Sequence, residues 1–124
     1  RLRFLGYCPR SDLPALYRGA FALIYPSYFE GFGIPVLEAM ASGCPVLCSD
    51  RTSLPEVAGK QAILADPDDA GTFADGIDQL SDQPTRERMI SGGKQQAARF
   101  SWREHAITTI RAIHLARNDT IGLA

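Results

Sequence analysis

The sequence predicts an α/β domain: a parallel sheet of about four strands with helices on both faces. Three observations carry this. Short apolar runs alternate with segments whose apolar residues recur at helical spacing, along all 124 residues. Phe21-Ala-Leu-Ile-Tyr25 is continuously apolar, as a strand buried on both faces requires. Strands that alternate with helices imply parallel pairing through right-handed crossovers.

The elements follow in order. Arg3 to Tyr7 reads as a short strand. Ser11-Asp12 can cap a helix to about Gly19, with Leu13, Leu16, Tyr17 and Ala20 on one face. Phe21–Tyr25 is the next strand. After the turn Glu30-Gly-Phe-Gly33, Pro35 to about Ser42 reads as a helix with Leu37, Met40 and Ala41 apolar, and Gly43 stops it. Pro45 to Cys48 and Ala62 to Ala65 read as strands. Asp68 or Asp69 caps a helix with Phe73, Ile77 and Leu80 inward. Pro84 suits the start of another, reaching Phe100 despite Gly92-Gly93. Ser101 caps the last, with Trp102, Ile107, Ile110, Ile113 and Leu115 forming an imperfect apolar face. The chain begins at Arg1, within what reads as a strand, so it is expected to be a piece of a longer protein.

Composition narrows the function. Net charge is −1, and 45% of residues are hydrophobic. Nucleic-acid binding has no electrostatic support. No run approaches the roughly 18 to 20 apolar residues that span a bilayer, and no signal segment opens the chain. Three cysteines argue against a disulfide framework. Cys44 and Cys48 on one strand would stand roughly 13 Å apart, too far for a bridge. They are expected to be buried free thiols in a reducing cytoplasm.

The informative stretch is Glu30-Gly31-Phe32-Gly33-Ile34-Pro35-Val36-Leu37-Glu38, at a strand's carboxyl end and opening a helix. Open α/β sheets bind ligands outside those ends. The glycines let a ligand approach the backbone. Pro35 fits the first helical position, where its absent N–H costs nothing. Val36, Leu37 and Glu38 then offer N–H groups and the positive end of a helix dipole, an anion site suited to a diphosphate. Glu30 and Glu38 can accept hydrogen bonds from hydroxyls near two ends of one bound molecule. Plainer readings stand beside these: Glu38 complements its own helix dipole, Glu30 is a solvated loop acid, and His105 and His114 are solvated.

The wider pattern resembles a known family. Glu30 and Glu38, with seven residues between, look like the E-x7-E motif of retaining GT-B glycosyltransferases of the group 1 (family 4) type. Phe4-Leu-Gly-Tyr7, Asp12-Leu-Pro-Ala-Leu-Tyr17, Tyr25-Pro-Ser27, Leu37-Glu-Ala-Met-Ala-Ser-Gly-Cys-Pro-Val46, Ser49-Asp50, Leu54-Pro-Glu-Val57 and Phe100-Ser-Trp102 are similar to that family's runs, in its order. The resemblance covers essentially the whole chain.

It implies a Rossmann-like fold and residues 1–124 as part of the C-terminal, donor-binding domain of a two-domain GT-B enzyme. Transfer would run from a nucleoside-diphosphate-sugar to an acceptor hydroxyl, with retention. Glu30 is implied to orient the donor sugar as the catalytic residue. Gly31, Phe32, Gly33, Ile34, Val36 and Leu37 are implied to hold sugar and diphosphate, Glu38 the ribose, and the backbone at Gly6, Tyr7 and Cys8 the base. No metal and no cofactor is implied. The implied partners are the nucleotide-sugar donor and an acceptor glycan, lipid-linked sugar or small molecule. The acceptor is reached through an N-terminal domain outside these residues, as is the family's Arg/Lys clamp. A cytoplasmic location is implied, with membrane association through that other domain. The rivals are a non-catalytic nucleotide-sugar binding module, and a phosphorylase or epimerase on the same fold. An unpaired edge strand and the last helix's apolar face lead to an expectation of self-association.

Overall fold

The computed structural model describes residues 2–121. The elements are α1 (Leu13–Gly19), β1 (Leu23–Tyr25), α2 (Ile34–Ala41), β2 (Val46–Ser49), α3 (Leu54–Ala58), a 3₁₀ turn (Gly59–Gln61), β3 (Ile63–Ala65), α4 (Ala70–Ser81), α5 (Gln83–Ala97) and α6 (Trp102–Ile121). The strands form one parallel sheet in the order β1-β2-β3. Leu23 stands opposite Val46, and Leu47 opposite Ile63.

The central strand shows why both faces are covered. All four residues of β2 are buried, and alternate side chains point to opposite faces. Val46 and Cys48 pack with Val36, Ala39 and Met40 of α2 and Leu54, Val57 and Ala58 of α3. Leu47 packs the other way, with Leu80 of α4 and Met89 of α5. Leu47, Leu54 and Leu80 are fully buried, each worth about 1.5–3 kcal/mol over an exposed position. Cys44 and Cys48 are buried free thiols, and burial pushes Cys48 up to about 12.

α5 lies across the N-terminal ends of the strands. Ahead of β1, the Arg86 guanidinium donates to the carbonyls of Phe21 and Ala20 and sits 4.6 Å over the Phe21 ring. Ahead of β2, the Lys94 side chain covers Gly43. Ahead of β3, Gln61 packs on Gly92, and buried Gln96 donates to the Val57 carbonyl at 2.9 Å. One end of the sheet is thus closed, and the carboxyl ends are left open.

Several expectations are corrected. The sheet has three strands, because residues 3–7 form none. Phe4 and Tyr7 there are 89% and 91% exposed, with no neighbouring strand to pair with. Asp12 occupies the cap position of α1 but makes no capping bond with its side chain; its Oδ1 accepts from the Ser11 hydroxyl instead. Leu16 of the expected α1 face is exposed, as is Ile77 of α4. α5 stops at Ala97 rather than Phe100, and its cap is Asp82, which accepts from Thr85 N at 3.0 Å. α4 is capped by Asp69, and Ser101 caps α6 through Glu104 N. α6 exposes Trp102, Ile110, Ile113 and Leu115. No helix among the described residues is long and apolar enough to cross a membrane.

Candidate functional site at the carboxyl ends of the strands

Glu30 is held from every side. It follows β1, and its Oε1 accepts from the Tyr25 hydroxyl at 2.6 Å and the Ser27 hydroxyl at 2.9 Å. The Tyr25 and then the Ser27 hydroxyl hold the Glu30 carboxyl below its ordinary value. The same bond, with burial, pushes Tyr25 up to about 12. The carboxyl is therefore charged and aimed, since a solvated loop acid has no such partners. Both hydroxyls converge on Oε1, which leaves Oε2 to accept from a ligand.

The backbone of Glu30 is held by the loop after β2. Its N–H donates to Thr52 Oγ1 at 3.1 Å, and its carbonyl accepts from Ser53 Oγ at 3.0 Å. Ser49 at the end of β2 donates its hydroxyl to the Ser27 carbonyl. Thr52 adopts a left-handed conformation, φ +52°, which costs a β-branched residue about 1–3 kcal/mol. Arg51 binds Asp66 at 2.7 Å, Asp50 at 3.2 Å and Asp68 at 3.4 Å, all carboxylates of its own chain.

The turn into α2 is shaped by Gly33. Its φ is +99°, and a Cβ there would lie 2.6 Å from Cδ2 of buried Leu54. Helix α2 begins at Ile34, one residue earlier than the sequence suggests, with Gly33 as its cap. This changes which N–H groups are available. Val36 N donates to the Gly33 carbonyl at 3.0 Å, so Val36 is not the free donor expected of it, and its side chain is fully buried. Gly31, Phe32, Gly33 and Ile34 have no protein partner for their N–H groups among the described residues. Those four groups lie at the positive end of the α2 dipole.

Glu38 lies in different surroundings. It is half-buried beside Tyr17, whose hydroxyl is pushed up by burial and then by the Glu38 charge. With Phe32, Ile34 and Leu37 it lines a groove of about 780 Å³ whose far wall carries Phe100, Trp102 and His105. Phe32 meets Phe100 edge to face at 5.7 Å. His105 is exposed at the edge of this groove. Gly6, Tyr7 and Cys8 are not brought to this groove; they lie on the extended stretch before α1, where Gly6 has φ +66° with nothing around it. Tyr25 and Ser27 were visible in the sequence as partners of Glu30 only through a resemblance, and Thr52 and Ser53 not at all. Among the described residues no group of three or more His, Cys, Asp or Glu is placed to hold a metal ion.

Residues 1–96 match the family described as Glycosyl transferases group 1. The chain is 48% identical over 115 residues to O-antigen chain mannosyltransferase B of Escherichia coli, covering 92% of this chain and 30% of that protein. It is 39% identical over 105 residues to D-inositol 3-phosphate glycosyltransferase of Corynebacterium diphtheriae, covering 82% of this chain and 25% of that protein. Sucrose-phosphate synthase from Thermosynechococcus elongatus superposes with a TM-score of 0.82 at 27% identity, over 96% of this chain and 31% of that one. The chain thus spans about a third or less of each of these proteins. It belongs to the group 1 glycosyltransferases, and its Rossmann-like sheet is part of a GT-B fold.

Proposed function

We propose that the chain is the donor-binding part of an enzyme that transfers a sugar from a nucleoside-diphosphate-sugar to an acceptor hydroxyl, with retention at the anomeric carbon. The observation that carries this is Glu30: a carboxylate fixed by two hydroxyls on one oxygen, directly before four residues whose N–H groups have no backbone partner among the described residues. A hexose whose hydroxyls bind Oε2 would set its diphosphate against Gly31 to Ile34. There the N–H groups and the helix dipole stabilise charge as the leaving group departs, which is electrostatic catalysis. Glu38, on the groove side of the same helix, takes the ribose hydroxyls. The reaction is read as metal-independent and cytoplasmic. The acceptor is held by a domain outside these residues, so the 124-residue chain alone binds donor without turning it over.

Titration of the chain with GDP-mannose, followed by amide chemical shifts, tests this. Shifts should cluster at Gly31–Glu38 and survive a chelator. Shifts confined elsewhere, or turnover by the isolated chain above a Glu30→Ala control, would overturn the reading.

A further inference from the structure

We infer that the loop between β2 and α3, through the hydroxyls of Thr52 and Ser53, is the device that positions Glu30 for the donor sugar. The inference rests on the reading of Glu30 given above. Three consecutive residues, the last two of the loop and the first of α3, converge on one turn. Thr52 Oγ1 accepts the Glu30 N–H at 3.1 Å, and Ser53 Oγ donates to the Glu30 carbonyl at 3.0 Å. Leu54 packs against Gly33 so closely that a Cβ there would lie 2.6 Å from its Cδ2. Both polar groups of the Glu30 backbone, and the glycine that opens α2, are therefore held by residues over 20 positions away in the chain.

The arrangement depends on an uncommon backbone conformation. Thr52 is the one non-glycine residue with positive φ among those described. A left-handed threonine persists where its surroundings over-determine it, and such residues gather at functional sites. Glycine would take this φ without strain, yet it would remove the hydroxyl that receives the Glu30 N–H. On the outer side of the loop, Arg51 binds Asp50, which follows β2, and Asp66 and Asp68, which follow β3. The loop is thereby tied to the sheet ends while its inner side grips Glu30. Thr52 and Ser53 touch the Glu30 backbone only, so they are positioning residues.

The test separates stability from positioning. Thr52→Gly relieves backbone strain and deletes the hydroxyl; Thr52→Ser keeps the hydroxyl. Three quantities are measured on the 124-residue chain: the thermal midpoint, the titration of the Glu30 side-chain carboxyl by NMR, and affinities for GDP-mannose and GDP. Thr52→Gly should keep or raise the midpoint while Glu30 titrates nearer an ordinary glutamate. The preference for GDP-mannose over GDP should fall about tenfold, the worth of one hydrogen bond to a charged group. Thr52→Ser should restore both. An unchanged Glu30 titration in Thr52→Gly, or equal losses in the two variants, would overturn the inference. Should Thr52→Gly not fold, Ser53→Ala is scored by the same carboxyl titration. Wild-type chain that binds GDP-mannose no better than GDP would instead remove the reading of Glu30 as a sugar ligand, and the carboxyl titration would still decide the clamp.

Discussion

At the N-terminal ends of the strands, polar side chains of α5 finish on backbone groups of the segments they cover: Arg86 on Phe21 and Ala20, Gln96 on Val57 of α3. At the carboxyl ends Ser49, Thr52 and Ser53 also finish on backbone groups, but Tyr25 and Ser27 donate to a carboxylate that has an oxygen to spare. The first set is consumed in closing the sheet, and the second is arranged around a group left able to bind. Polar side chains therefore do different work at the two ends, and what separates them is whether hydrogen-bonding capacity remains after folding.

The largest expected effect falls where the turn of the open end rests on the core. Gly33→Ala places a Cβ in a left-handed position against fully buried Leu54. Strain and overpacking together should destabilise the chain by about 2–4 kcal/mol, read by urea unfolding. The Gly31–Ile34 amide resonances should move as well. A Gly33→Ala chain of wild-type stability would show that the turn is decoupled from the core beneath it.

Next comes the closed end. Gln96 is buried, and its amide satisfies the Val57 carbonyl. Gln96→Ala leaves that acceptor unpaired, at a cost of about 1–3 kcal/mol. GDP-mannose affinity and the Gly31–Ile34 amide shifts should stay as in the wild type. A loss of affinity in the folded Gln96→Ala chain would break the division between the two ends.

The sequence carried the local half of this picture. The glycine turn, Pro35 and the apolar face of α2 are neighbours along the chain, so spacing alone located the helix that opens the site. The strands at 21–25, 45–48 and 62–65 were legible because a buried parallel strand is apolar throughout. Residues 3–7 form no strand, because pairing requires a neighbour that spacing cannot supply. α3 is five residues long, too short for periodicity to reveal, and Leu54-Pro-Glu-Val57 stood out only as a motif. The grip on Glu30 was invisible because Thr52 and Ser53 reach it across 22 and 23 positions. Nothing in a single sequence marks one hydroxyl as another residue's partner.

The smallest effect is the Tyr25–Glu30 bond, and its signature is a shape rather than a size. Tyr25 is raised to about 12 by its bond to Glu30, above an ordinary tyrosine of about 10. The fold thus favours the protonated phenol. Its contribution is complete below pH about 10 and is lost as pH rises through about 12. Glu30 is shifted the other way, lowered by the Tyr25 and Ser27 hydroxyls. Its contribution is present above the ordinary glutamate value of about 4.3 and is lost as pH falls through the lowered one. Tyr25→Phe removes the shared bond, so the stability difference between wild type and Tyr25→Phe should be bell-shaped in pH. It should be flat from about pH 5 to 10 and decline on both sides. Urea unfolding of both chains at matched pH measures it directly. A difference that stays level beyond both limits would mean that the phenol and the carboxylate are not coupled, and the Glu30 charge would not be fixed by Tyr25.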